Sequence, residues 1–311
     1  MRPKMKIGIS LPQLGPLASA ENLIRAGQQA EHLGYDSVWV LERLLYPLNP
    51  QEPYPPAPDG KLPETYQNVL DPLETLTFVA AHTSKVRLGT SVLVLAYHTP
   101  IQLARRISTL DVLSGGRVSL GVGVGWSRDE FEAAGTPFEK RGARADEFLQ
   151  AIIDIWTKNP VGFAGRFYNI PESLVGPKPV QKPHPPIYIA GYGQYALDRA
   201  VRFGRGWNPA GIPGFDWLES MIKQLHETAR AAESDSTEVV LRAFTMVFDQ
   251  SAGDDRQPMM GTLDEIREDI LRLRDIGVTE LIHSPPSIGF DDKAGIDEVM
   301  ALMERLMEIS R

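Results

Sequence analysis

Residues 120–131 read LGVGVGWSRDEF, the end of a strand, a glycine-rich turn and the start of a helix. Gly121, Gly123 and Gly125 occupy every second position, a pattern that lets backbone N–H groups approach a bound group. A dinucleotide fingerprint needs G-x-G-x-x-G after the first strand of a βαβ unit. Here the third glycine comes one place early, Trp126 follows it, and the motif lies in the fourth unit, which argues against a Rossmann site. A second pair, Gly191 and Gly193 in AGYGQ (190–194), precedes a helix. Free N–H groups and the positive end of a helix dipole suit a phosphate there, although a plain βα turn uses the same residues.

The other residues able to do chemistry also fall at strand ends. They are Glu42 and Arg43 on the second strand, and Ser91, Val92, Leu95, Tyr97 and His98 along and after the third. Gly123, Gly125, Trp126 and Asp129 follow on the fourth, Gly191, Tyr192, Gly193 and Gln194 on the fifth, Trp207 and Asn208 on the sixth, and His283 and Ser284 on the eighth. None of the six histidines forms H-x-H or H-E-x-x-H, so no metal site is expected. No G-x-S-x-G occurs, and only Glu42 stands clearly at a strand end, so neither a serine triad nor a glycosidase carboxylate pair is supported. Trp39, Val92, Leu95, Tyr97, Trp126, Tyr192 and Trp207 make an apolar cup. Singly each aromatic reads as core; together they suit a flat redox cofactor that carries the hard chemistry itself.

These positions require strands that alternate with helices. Strands are expected at 6–12, 36–42, 85–95, 117–125, 185–191, 206–210, 238–248 and 279–285. Helices are expected at 20–35, 71–84, 99–116, 127–135, 139–159, 195–204, 215–232, 262–277 and 291–310. The strands are continuous apolar runs, as in parallel sheets covered on both faces. Eight such units over a single domain, residues 1–311, predict an α/β fold, a (β/α)8 TIM barrel with insertion loops, whose active site faces the C-terminal strand ends. VGFAGRFYNI (161–170) reads as a hairpin insertion. The Pro-rich segment 46–64 cannot be helix or central strand; it lies after the second strand and is expected to shape or gate a substrate pocket.

Composition narrows the function classes. With 42% hydrophobic and 23% charged residues the chain reads as soluble and globular, and a net charge of −8 argues against a nucleic-acid partner. Cysteine is absent, which excludes disulfides and thiolate chemistry and fits a cytoplasmic setting. The N-terminal apolar run is too short for a signal peptide, and no window approaches a membrane span.

At GYDSVWVLER, VRLGTSVLVLAYHTP, LARRISTLDVLSGGRVSLGVGVGWSRDEFEAAGTPFEKRGARADEFL and PKPVQKPHPPIYIAGYGQYALDRAVRFGRGWNP the chain resembles the luciferase-like monooxygenase superfamily. Within it, the chain is similar to the F420 (deazaflavin)-dependent oxidoreductases, over roughly residues 5–283. The resemblance implies a barrel with its cofactor at the C-terminal strand ends and a cis peptide bulge at Ser91–Val92 behind the central ring. It places Glu42 near the cofactor, Gly123, Gly125, Trp126 and Asp129 beside the ring, and Gly191, Tyr192, Gly193 and Gln194 at the phosphate. The implied activity is hydride transfer between deazaflavin C5 and a small organic substrate, with Glu42, Arg43 and His98 as catalytic candidates and Tyr97 or Tyr46 as hydrogen-bond donors. The alternatives are an FMN-dependent monooxygenase using reduced flavin and O₂, and a non-catalytic flavin-binding barrel. Basic residues at the mouth (Arg43, Arg128, Lys140, Arg141) would favour the acidic tail of F420. Two positions depart from relatives: Arg43 stands where many carry His, and Trp126 where the sugar-phosphate dehydrogenases carry Glu. Arg43 then orients an anionic group or forms a rim ion pair with Glu42. The family also implies a homodimer.

Overall fold

The computed structural model describes residues 4–55, 59–251, 253, 256–286 and 295–311. In chain order the strands are β1 (Lys6–Ser10), β2 (Ser37–Val40), β3 (Arg87–Val94), β4 (Val118–Gly123), β5 (Val161–Ala164) and β6 (Asn169–Ser173). They continue with β7 (Ile187–Ile189), β8 (Gly206–Trp207), β9 (Glu238–Ala243), β10 (Met246–Val247), β11 (Met260–Gly261) and β12 (Glu280–His283). Strands β1, β2, β3, β4, β7, β8, β9 and β12 pair in parallel, in that order, and β12 returns to β1 to close the barrel. The expected eight-stranded α/β barrel is therefore the observed architecture. β5 and β6 form the antiparallel hairpin insertion.

The helices are α1 (Ala20–Leu33), α2 (Pro72–Ala80), α3 (Pro100–Ser114), α4 (Arg128–Ala133), α5 (Arg141–Thr157), α6 (Gln194–Phe203), α7 (Phe215–Ala231), α8 (Leu263–Ile276) and α9 (Ile296–Ser310). Local chemistry sets their ends. Ser19 caps α1 by accepting from the Asn22 amide at 3.2 Å, and Gly34 closes it in the left-handed region. Thr262 and Glu265 form a capping box on α8, which stops at left-handed Gly277.

The barrel strands are each a few residues shorter than expected, and two elements change further. The run 238–248 is two strands: after Ala243 the chain turns over the end of β12, where the Ser284 amide donates to Ala243 O at 2.9 Å, and Met246–Val247 then pairs with β11. The last helix begins at Ile296, and residues 291–294 of the expected span lie outside the described residues.

Inside the barrel the indole of Trp39 fills the space left by Gly8 and Gly89; a Cβ on Gly89 would stand 2.3 Å from it. Trp39 Nε1 donates to Ser37 Oγ at 2.7 Å and to Glu280 Oε1 at 3.2 Å, so the buried Glu280 is hydrogen-bonded. Burial pushes the Glu280 carboxyl above its ordinary pKa, with the hydrogen bonds opposing.

His283, at the end of β12, contacts Thr245 Oγ1 and Ser310 Oγ, each at 3.1 Å, and so ties α9 to the mouth of β9. Full burial lowers its imidazole from 6.5 to about 3. As pH falls below 6.5, the unfolded chain takes up this proton and the folded one does not until about pH 3, so stability falls with pH across that window. The slope from this residue approaches about 1.4 kcal/mol per pH unit. Denaturant titrations from pH 6.5 to 4.5 should show His283→Gln losing less stability than the parent by about one proton's linkage; identical pH dependence would contradict this role.

Candidate active site

The bulge in β3 organises the mouth. The Ser91–Val92 peptide is cis, as the resemblance implies, and the register with β4 shifts between Thr90 and Leu93. Ser91 Oγ lies 3.0 Å from Asn208 Oδ1, and Asn208 Nδ2 donates to Val240 O at 2.5 Å. Arg242 Nη1 donates to Ser91 O and its Nε to Ser284 Oγ, both at 3.1 Å. The bulge is thus tied to β8, β9 and the end of β12. Ser10, Gln13, Leu41, Ser91, Arg242 and Ser284 line a cavity above Trp39.

Glu42 and Arg43 follow β2 and diverge. Glu42 accepts the Val94 amide at 2.6 Å through Oε2 and contacts His98 Nε2 at 2.7 Å through Oε1; the two side chains are 2% and 12% exposed. Arg43 does not pair with Glu42. Its Nη1 lies 3.2 Å from Glu130 Oε2, with the two side chains 6% and 2% exposed. Glu130 also accepts the Leu44 amide at 2.7 Å and the Tyr97 hydroxyl at 3.0 Å. Burial, and then the Glu130 carboxylate, push the Tyr97 pKa far above its ordinary value, so this phenol remains a donor.

The remaining fourth-strand residues divide between the mouth and the rim. Gly123 abuts the bulge, where a Cβ would stand 3.1 Å from Val92 Cγ2. Gly125 turns with a φ of +79°, and a Cβ there would stand 2.7 Å from Phe131 and Val94 side-chain atoms. Trp126 packs with Tyr54, 5.7 Å between ring centroids, and with a cluster of Leu14, Leu41, Leu62 and Tyr66. Asp129 faces the rim, accepting from the Gln51 amide at 3.1 Å and its Nε2 at 3.3 Å. Arg128 pairs with Glu52 at 2.9 Å, so α4 is strapped to the Pro-rich segment. Of the expected basic mouth, Arg43 is buried and Arg128 is already paired.

The turn 190–194 lies on the same face, beside β4. Gly191 and Gly193 have φ of +119° and +80°, and nothing stands within 4 Å of a Cβ built on Gly193. Helix α6 starts at Gln194, so its first N–H groups lack intrahelical partners. The Gln194 side chain donates to Asp198 on its own helix and to Thr228 on α7, and the Tyr192 hydroxyl donates to Ala210 O. Trp39 and Trp207, placed in the cup by sequence, are core residues at 1% and 0% exposure; Trp207 packs on Trp217. Sequence reasoning missed Glu130 and Arg242. Arg242 left a signal, a lone charge inside the apolar strand EVVLRA. Among the described residues no cluster of metal-binding side chains occurs.

A sequence model of the luciferase-like monooxygenase family matches residues 5–253. The chain belongs to that family. An uncharacterised protein from Mycobacterium tuberculosis (strain ATCC 25618 / H37Rv) is 32% identical over 279 residues, 89% of this chain and 91% of the relative. The F420-dependent glucose-6-phosphate dehydrogenase of Amycolatopsis mediterranei (strain U-32) is 30% identical over 236 residues, 74% of this chain and 65% of the enzyme. The FMNH(2)-dependent dimethylsulfone monooxygenase of Pseudomonas putida is 30% identical over 154 residues, 49% and 42% of the two chains. Among solved structures, monooxygenase RslO1 from Streptomyces bottropensis superposes with a TM-score of 0.79 over 98% of each chain at 23% identity, a likeness of fold. The family thus holds both F420- and FMN-dependent relatives.

The Arg43–Glu130 pair of this luciferase-like barrel tests whether the mouth is electrostatically coupled. Removing one member of a buried pair leaves an unpaired charge and costs about 3 kcal/mol. In urea unfolding, Arg43→Met and Glu130→Ala together should cost less than the sum of the single changes, by on the order of 2 kcal/mol. Additivity within about 0.5 kcal/mol would contradict the coupling.

Proposed function

We propose that the chain is an F420-dependent oxidoreductase that moves a hydride between the deazaflavin C5 and a small organic substrate. The observation that carries this reading is the buried Glu42–His98 contact at 2.7 Å, next to the Ser91–Val92 bulge. Hydride exchange with an alcohol or carbonyl compound requires a proton to leave or reach the oxygen, and an imidazole oriented by a carboxylate is a group able to carry it. The Val94 amide holds the other Glu42 oxygen, so the carboxylate can orient the His98 ring without moving.

The residues present fit such a cofactor. The positive-φ glycines and the open space at Gly193 suit a phosphate at the start of α6. The Val92 side of the bulge offers a ring a wall, and the small Gly123 leaves room beside it. When bound, F420 supplies the two-electron hydride carrier. Tyr66 and Trp126 flank Arg43 and pack with Tyr54 and Leu62, which keeps water from the Arg43 side of the mouth. The dehydrogenase relative, which covers 74% of this chain, supports F420 more than the monooxygenase relative, which covers 49%.

Fluorescence titration of the purified full chain with F420 and with FMN at matched salt should give F420 binding at least about tenfold tighter, a gap of about 1.4 kcal/mol. Tight binding of FMN alone would overturn the assignment in favour of an oxygen-dependent monooxygenase, and binding of neither would overturn the cofactor site. Once secondary alcohols have been screened as hydride donors, His98→Gln should retain F420 affinity and lose turnover by about 10²- to 10⁴-fold. Unimpaired turnover would remove His98 from proton transfer.

A further inference from the structure

Arg43 carries more hydrogen-bonding capacity than the protein uses. Its side chain is 6% exposed, and Nη1 alone reaches an acceptor, Glu130 Oε2 at 3.2 Å. Nε and Nη2 are buried and, among the described residues, have no hydrogen-bond partner. These two nitrogens share one edge of the guanidinium, the edge whose parallel N–H bonds match the two oxygens of a carboxylate. A buried donor without an acceptor is destabilising, and more so when it is charged.

The surroundings hold this edge rather than satisfy it. The guanidinium carbon lies 5.1 Å from the Trp126 ring centroid and 5.5 Å from that of Tyr66, so two aromatic rings flank the cation. Glu130 is itself fixed by the Leu44 amide and the Tyr97 hydroxyl, so it cannot swing to cover the free edge without giving up those bonds. A second buried cation lies nearby: Arg242 bonds only the neutral Ser91 O and Ser284 Oγ, and forms no ion pair among the described residues. Arg242 lines the cavity above Trp39 together with Leu14 and Leu41, which belong to the same cluster as Tyr66. Against them stand Glu130 and Glu42, the latter already in contact with His98. The mouth therefore holds two buried guanidiniums and one carboxylate that is not engaged by an imidazole.

We propose that the Nε–Nη2 edge of Arg43 is the anchor for a carboxylate on the substrate, so that the substrate class is an organic acid with a flat or apolar body lying along Trp126 and Tyr66. This rests on reading the mouth as the substrate site and deepens it. Tyr66, whose ring flanks Arg43, lies in the short turn after the Pro-rich segment and packs in one cluster with Tyr54 and Leu62, so a substrate reaching the edge must displace these side chains. The straps from Gln51 and Glu52 to α4 lie at the rim, where such contacts break at small cost.

The test uses benzoate and its neutral isostere benzamide, titrated calorimetrically into the full chain, first alone and then with whichever cofactor binds. Benzoate should bind at least about tenfold more tightly than benzamide. Arg43→Gln should abolish that preference, and Arg43→Lys, which keeps the charge and loses the fork, should reduce it. Should Arg43→Gln unfold, Arg43→Gln with Glu130→Gln removes both charges together, and the benzoate–benzamide comparison on the parent protein stands without any variant. Equal binding of the two probes, no binding of benzoate, or a preference that survives in Arg43→Gln would overturn the proposal and leave Arg43 as a structural cation between two rings. Because these titrations begin without cofactor, loss of F420 binding and loss of carboxylate selectivity are separate results.

Discussion

A charge taken out of water must be paired or hydrogen-bonded, or burying it costs several kcal/mol. Glu42, Arg43, Glu130 and Arg242 all meet this constraint at one end of one barrel, and the site follows from how they meet it. Glu42 takes the Val94 amide and His98; Glu130 takes Arg43, Tyr97 and the Leu44 amide; Arg242 gives to Ser91 O and Ser284 Oγ. Each solution crosses between elements, so the ends of β2, β3, β9 and β12 and helix α4 are locked in relative position. Few alternative arrangements satisfy so many buried donors and acceptors at once, and that rigidity is what a cofactor surface needs.

The barrel itself was legible because parallel strands covered on both faces are uninterrupted apolar runs, and several runs here are followed by a helix with a recognisable cap, at Ser19, Asp71, Thr99 and Thr262. The misreading at 238–248 has the same origin. Apolar character continues through Phe244 and Val247, while the break depends on the chain meeting the end of β12, which is not local information. Motif comparison located the bulge at Ser91–Val92 where composition and spacing alone could not.

The site was less legible, for reasons that individual residues make plain. Glu42, His98 and Arg43 stood out at strand ends, yet their pairing did not, because it depends on side chains 56 and 87 positions further along the chain. Asp129, Glu130 and Glu132 lie within the six residues of α4, and only three-dimensional packing turns Glu130 inward and Asp129 to the rim. Trp39 and Trp207 show the converse. Both sit near strand ends and both are large and flat, but glycines at 8 and 89 draw one into the barrel interior and Trp217 covers the other.

The central claim is that the mouth between the β3 bulge and the turn at 190–194 holds the cofactor. A crystal structure of the full chain grown with F420 tests it most directly. The account predicts the deazaflavin ring against Ser91–Val92, with Glu42 and His98 at its edge, and the phosphate on the amides of Gly191 to Gln194. A phosphate bound elsewhere, or a ring that leaves the bulge uncovered, would contradict it.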